Sequence, residues 1–372
     1  MSIFEAFGPR QVINGSGKMT VLGASAVAPE VAEAMGKAAM DYVEMDELLP
    51  AAGKYIAAVT GAEYGCPTCG ASAGIAIAVA AVISGENIDL VEKLPDSTGL
   101  RNEIILQKGH AVNFGARITQ MIRLGGGLPI ETGACNLVVP DNIENAIGEK
   151  TAALFYVKSH HAVQKGMVAI EEMAAIAKRH KIPFIIDAAA EEDLQKYIRM
   201  GADLVIYSGG KAIEGPTSGF ICGRKDLCRA CQLQYKGIGR PMKTGKENII
   251  GLLTALKRYV NKKENGNLQK QKMQSLLTDL GEIPGVKGEI AQDEAGREIF
   301  RAKITIDPKI TGITALALIK ELEAGNPAIH TRNYYAAQGQ IFIDPRPLLA
   351  DQEKIIAVKI KEILQTTKKA GL

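Results

Sequence analysis

No apolar run in the chain approaches the roughly 18–20 residues that a membrane span requires, so no spanning helix is expected. The opening MSIFEAFGPRQVIN lacks a basic stretch followed by an apolar one. It therefore reads as no export leader, and a cytoplasmic protein is expected. Net charge is also small: 44 basic against 41 acidic residues leave +3. That is too little to argue for a nucleic-acid surface. Cysteine is sparse, six in 372 residues, and with no leader this favours reduced thiols over a disulfide framework. Four of the six form two pairs, Cys66/Cys69 and Cys228/Cys231. These lie far beyond the roughly 15–20 residues that separate the pairs of a zinc ribbon, so they are read as small core residues. Internal repeats and low-complexity tracts are absent. What remains is 47% hydrophobic and 23% charged residues, an ordinary globular composition with ample core and length for two domains.

The chain is organised around Ile182–Gly223, IPFIIDAAAEEDLQKYIRMGADLVIYSGGKAIEGPTSGFICG. An apolar run, Phe184–Ile186, ends in Asp187, and a helix is predicted over Glu191–Met200. A second apolar run, Leu204–Tyr207, opens into Ser208-Gly209-Gly210-Lys211. Two buried strands joined by a crossover form a right-handed βαβ unit. Asp187 and Lys211 then sit at neighbouring strand ends, where open α/β sheets bind ligands. A carboxylate and a lysine so placed suit pyridoxal phosphate. That cofactor needs an amine for its aldehyde carbon and an acid to keep its pyridine nitrogen protonated. Gly209 and Gly210 permit close backbone approach, and Ser208 offers a hydroxyl to the phosphate.

Alternating strands and helices over Glu47–Gly223 predict an α/β domain with a mostly parallel sheet. Before it, residues 1–46 read as an N-terminal arm carrying a helix from Pro29 to Tyr42. Gly70, Ala71 and Ser72 precede a strongly apolar helix ending at Gly85, whose free N–H groups can bind phosphate. His110 follows a strand at Glu103–Gln107, placed to stack on a flat ring or relay a proton. A lone histidine there is otherwise a structural residue. His160 and His161 are adjacent on a strand end and face opposite ways, which does not make a metal site. Phe220–Cys222 reads as an edge strand. The large domain is taken as 47–248. Residues 249–372 are taken as a linker helix and a smaller α+β domain. A rival motif is present: Ser208–Lys211 forms SxxK and Lys243–Gly245 forms KTG. The SDN signature of that serine acyl-enzyme class is missing, and Ser208 ends a strand where that class begins a helix.

Several stretches together give the chain a family resemblance. GPRQVINGSGKMTVLG, IIDAAAEED, SGGKAIEGPTSGFICG, IGRPMKTGK and HTRNYYAAQGQIFIDPRPL resemble segments of the selenocysteine synthase (L-seryl-tRNA selenium transferase) family. The resemblance spans nearly the whole chain. It implies a fold-type I pyridoxal-phosphate enzyme, with Lys211 as the cofactor lysine and Asp187 as the pyridine partner. Two departures point away from tRNA. The chain begins almost at the core, where the family carries a tRNA-binding domain, and Ala24-Ser25 stand where the family has an arginine. The resemblance therefore implies the members that act as ammonia-lyases on a phosphorylated 2-amino sugar acid. A seryl-tRNA transferase or another β-eliminating amino-acid lyase is the alternative. It also implies a homo-oligomer in which Lys246 reaches cofactor phosphate across a subunit boundary, and Arg240 and Lys243 face the substrate.

Such a substrate carries a carboxylate and a remote phosphate. Lys236, Arg240, Lys243 and Lys246, with Arg332 and Arg346, are the cations that suit it. Lys243 is assigned to the phosphate and Arg332 to the carboxylate. The freed Lys211 is the expected base at Cα, and His110 or Lys211 the donor to the leaving hydroxyl.

Overall fold

The computed structural model describes residues 3–159, 162–261, 266–293 and 298–370. Two compact units are present: Met1–Ser25 with Lys262–Leu372, and Ala26–Asn261. This grouping differs from the three expected segments in two places. The Pro29–Ala39 helix, expected in an arm, packs on the Lys246–Asn261 helix, and the latter, expected to leave the large domain, stays within it.

After a short β1 (Val12–Gly15), the larger unit carries β2 (Tyr64–Thr68), β3 (Glu103–Gln107), β4 (Leu128–Thr132) and β5 (Thr151–Val157). It continues with β6 (Phe184–Asp187), β7 (Leu204–Ser208) and β8 (Gly219–Gly223). They form one sheet in the order β2-β8-β7-β6-β5-β3-β4. The run from β7 to β4 is parallel, as its continuous apolar strands require. β8 turns back antiparallel to both β7 and β2. Phe220–Cys222 is therefore an interior strand rather than an edge. The edge on that side is β2, a strand the sequence reading overlooked because Gly65 and Pro67 dilute its apolar signal. The crossover from β6 to β7 is mostly turn, with helix only over Lys196–Arg199. Asp193 Oδ1 accepts from the N–H groups of Gln195 and Lys196, a side-chain turn that precedes the helix.

Both faces of the sheet are covered. Side chains alternate along each strand. Leu154, Tyr156, Ile186, Val205 and Tyr207 thus join one core, and Phe155, Val157, Ile185, Leu204 and Ile206 join the other. The Ala71–Ser84 helix is apolar on all sides and lies buried on the second face. Gly74 lets it close on the sheet, since a Cβ there would stand 2.9 Å from Ile206 Cγ2.

The smaller unit adds β9 (Val286–Gln292), β10 (Phe300–Ile306), β11 (Ala328–Thr331) and β12 (Gln340–Ile343). β12-β10-β9 is an antiparallel sheet, while β1 and β11 pair in parallel. Helices Gly266–Leu280, Ala315–Ala324 and Gln352–Ala370 close its core around Ile304, Leu318, Ile341 and Ile356. Among the described residues, no helix is long and apolar enough to cross a membrane.

Candidate active site at the strand ends

Register brings the expected residues together. Asp187 is paired with Val157 of β5 and Ile206 of β7. Alternation from Ile185 and Ile206 places Asp187 and Ser208 on the face that packs the Ala71–Ser84 helix. Asp187 is buried, 7% exposed as a residue, and Oδ1 accepts the Ala189 N–H at 3.1 Å. Burial pushes its pKa up to about 6, opposed by the Ala189 N–H and by the charge of Lys211. A half-satisfied acid held out of water is a site built for a cationic hydrogen-bond donor.

Lys211 follows β7 on a turn closed upon itself. Gly209 N–H donates to Ser218 O at 2.8 Å, Gly215 N–H to Gly209 O at 2.7 Å, and Glu214 N–H to Lys211 O at 3.2 Å. Ser208 N–H donates to Ala189 O at 3.2 Å, which ties the two strand ends into one rim. Lys211 and Ser208 are half-buried.

The third wall is the start of the Ala71–Ser84 helix. The first intrahelical bond runs from Gly74 N–H to Gly70 O, so the earlier N–H groups have no partner inside the helix. No side chain caps this end. A Cβ built on Gly70 would meet nothing within 4 Å, so space lies open beside it. A Cβ on Gly219 would lie 2.8 Å from Tyr207 O and from Gly70 C, and 2.9 Å from Ala71 N. The bare backbone of Gly219 thus brings the helix start against the end of β7, next to Ser208. Uncapped N–H groups, the helix dipole and neighbouring hydroxyls at Ser72 and Ser208 fit a phosphate. A buried acid and a lysine beside them fit the rest of pyridoxal phosphate.

Two expected site residues have other duties. The His110 ring is fully buried. Its Nδ1 accepts Val157 N–H at 3.2 Å, and Nε2 faces Val163 O at 3.1 Å. This fixes the tautomer with hydrogen on Nε2. Burial lowers the pKa to about 4, and Tyr156 closes on the ring edge-on at 4.4 Å. The assignment of His110 as proton donor is corrected on these grounds: it is neutral and committed to backbone. Lys246 Nζ donates to Ala38 O at 2.7 Å and Ala39 O at 2.9 Å. It satisfies carbonyls that the Pro29–Ala39 helix leaves open at its end.

The substrate cations divide between the units. Lys236, Arg240 and Lys243 are exposed on the larger unit. Arg332 belongs to the smaller unit, half-buried, with its guanidinium 4.8 Å from the Tyr334 ring centre. Desolvation first, then the charge of Arg301, lowers its pKa. Arg346 binds Asp344 through Nε at 2.9 Å and Nη2 at 2.8 Å, while Arg301 bridges Asp344 and Asp293 at 3.0 and 2.8 Å. Arg346 is therefore part of a buried ionic network. His160 and His161 lie outside the described residues. Cys66, Cys222, Cys228 and Cys231 are fully buried free thiols, and burial raises the pKa of each. Among the described residues no group could hold a metal ion. The sequence reading overlooked Ala189, whose N–H and C=O bind both Asp187 and Ser208. The short residues of Ala188-Ala189-Ala190 after the acid were the available signal.

Known proteins share this sequence and fold. The family model for L-seryl-tRNA selenium transferase matches residues 12–283. A D-glucosaminate-6-phosphate ammonia lyase of Salmonella typhimurium is 44% identical over 364 residues, covering 98% of both chains. A 5'-C-glycyluridine monooxygenase-decarboxylase of a Streptomyces species is also 44% identical, over 97% of this chain and 92% of its own. A solved D-glucosaminate-6-phosphate ammonia-lyase superposes with a TM-score of 0.96, 44% identity and 99% of each chain covered. The architecture is that of the fold-type I pyridoxal-phosphate enzymes. The chain belongs to the L-seryl-tRNA selenium transferase family.

Proposed function

We propose that the protein is a pyridoxal-phosphate-dependent ammonia-lyase acting on a phosphorylated 2-amino sugar acid, with D-glucosaminate 6-phosphate as substrate. One observation carries the cofactor: a buried, cation-seeking Asp187 and Lys211 share a rim with an uncapped helix start. The match in fold and sequence to the ammonia-lyase supports the substrate. When bound, pyridoxal phosphate supplies an electron sink for the bond pair left at the substrate's Cα.

The chain's residues do the rest. Asp187 Oδ holds the proton on the pyridine nitrogen. The first-turn N–H groups at Ala71 and Ser72, with the Ser208 hydroxyl, anchor the phosphate. Lys211 Nζ would hold the cofactor's aldehyde carbon in the resting enzyme and, once the substrate amine takes that place, would be the base for the Cα proton. The same lysine returns a proton to the β-hydroxyl as it leaves as water, the role His110 cannot fill. The enamine tautomerises, and hydrolysis restores one water, so the net products are ammonia and a 2-keto-3-deoxy acid phosphate. Lys243 and Arg240 are assigned to the substrate's anionic groups, Lys243 to the remote phosphate.

A cytoplasmic homo-oligomer belongs to the same reading. Six free thiols suit a reducing compartment. Large apolar side chains lie bare near the N-terminus, Phe7 at 84%, Met40 at 83% and Tyr42 at 98% exposure, which a second copy would cover. Sedimentation of the purified protein as a monomer would remove that part.

The second reading is a monooxygenase-decarboxylase, because a relative of that name is equally identical. One assay separates the two. The cofactor-loaded protein is given D-glucosaminate 6-phosphate and, separately, 5'-C-glycyluridine. Release of ammonia and 2-keto acid from the first supports the lyase. Oxygen uptake and carbon dioxide from the second, with no ammonia from the first, overturns it.

A further inference from the structure

Glu214 occupies a left-handed backbone conformation, φ +59°, three residues beyond Lys211. Residues with a Cβ avoid that region, and such a conformation persists only where the surroundings enforce it. The enforcement is visible on both sides of the residue. Its N–H donates to Lys211 O, and the following N–H, from Gly215, donates to Gly209 O. Its carboxylate Oε2 meets Arg258 Nη1 at 3.1 Å, with the Glu214 side chain only 19% exposed. Arg258 Nε also reaches Glu30 Oε1 at 3.2 Å. A Cβ on Gly215 would stand 3.2 Å from Ala255 Cβ, so the Lys211 turn rests on the Lys246–Asn261 helix one turn before Arg258.

Glycine would meet the backbone requirement at 214 without strain, yet the position carries a side chain that reaches a cation. We propose that Arg258 is a positioning residue. By holding Glu214 it fixes the turn that aims Lys211, and through Glu30 it joins that turn to the Pro29–Ala39 helix. The outer link is weak, since the Glu30 side chain is 60% exposed. The inner link carries the effect. Lys246 caps the same helix at its other end, so the two helices lie antiparallel with a cation holding each end.

This inference rests on Lys211 as the reacting lysine, and the test separates the two. Amide hydrogen exchange across residues 209–216 is measured on the cofactor-free chain for Arg258→Ala, Glu214→Gly, Arg258→Lys and the double variant Arg258→Ala/Glu214→Gly. The loaded proteins are then compared in kcat, KM and the fraction of Lys211 trapped by borohydride. Arg258→Ala and Glu214→Gly should each speed exchange about two- to fivefold, the scale of a partly exposed ion pair. Each should lower kcat with KM nearly unchanged. The double variant should match the singles, and Arg258→Lys should recover part of the loss. Should Arg258→Ala fail to fold, Glu214→Gly decides alone, because glycine tolerates the backbone. Unchanged exchange in Glu214→Gly, or losses that multiply in the double variant, overturns the proposal. If exchange changes as expected while Lys211→Ala keeps full turnover, the assignment of Lys211 is what fails.

Discussion

Replacing Asp187 with asparagine should make the cofactor-free protein more stable and the enzyme almost inert. The carboxyl is buried and its pKa stands at about 6 against an ordinary 3.8. Between those values the folded state holds a proton that the unfolded chain has released. Folding therefore loses stability as pH rises through that window, and the loss is complete above about pH 6. The shift corresponds to roughly 3 kcal/mol. An asparagine there would carry no charge at any pH, and its carbonyl could still accept the Ala189 N–H. Urea unfolding of the two cofactor-free proteins at pH 8 should then favour Asp187→Asn by up to about 3 kcal/mol, and the advantage should vanish near pH 4. Turnover should move the other way, falling by several orders of magnitude, because an amide cannot hold the pyridinium proton. No stability gain at pH 8, together with a rate loss of only about tenfold, roughly 1.4 kcal/mol in barrier, would refute the reasoning. Asp187 would then be a residue that merely positions its neighbours.

Lys211→Ala should abolish ammonia release and the borohydride-reducible visible band while circular dichroism stays native; near wild-type release would move the reacting amine elsewhere. His110→Leu should lower stability by about 1–3 kcal/mol for each backbone group it orphans. Its turnover per folded molecule should fall by less than about tenfold, and the wild-type pH–rate profile should show no histidine titration. Lys246→Ala should cost about 0.5–1 kcal/mol in thermal or urea unfolding, the scale of a cation at a helix end, with cofactor affinity little changed in equilibrium dialysis. Lys243→Ala should raise KM for the phosphorylated substrate by about 1.5–3 kcal/mol, the scale of a charge-assisted bond, and much less for an unphosphorylated analogue. An equal loss with both would take Lys243 off the phosphate.

The strands that carry chemistry were legible because parallel, doubly covered strands are continuous apolar runs. Glu103–Gln107 coincides with an observed strand, and Phe184 and Leu204 open β6 and β7 as read. β2 was illegible because Gly65 and Pro67 dilute the apolar signal. Its partner β8 supplies the pairing, and that contact joins residues far apart in the chain. The β6–β7 crossover was misread for the opposite reason. Glu191–Met200 has helical composition, but Asp193 binds the N–H groups of Gln195 and Lys196 in a side-chain turn, and helix is confined to Lys196–Arg199.

Lysine roles show where reading by motif stops. Lys211 and Lys246 both stand beside glycine in segments that resemble one family, and both are expected at the cofactor, Lys211 on its aldehyde carbon and Lys246 on its phosphate. Tertiary structure separates them through the acceptors each one meets. Lys246 faces the open carbonyls of Ala38 and Ala39, two neutral acceptors that hold an ammonium in place. Lys211 lies beside a buried carboxyl whose affinity for a proton is raised, on a rim with uncapped N–H groups. The first setting ties a side chain to backbone, and the second leaves one at the rim beside the site's acid. His110 obeys the same logic, since its place at a strand end is right and its two nitrogens are already spent. Chemistry at this sheet edge is decided by which polar groups are left without a backbone partner, and that count exists only after the chain has folded.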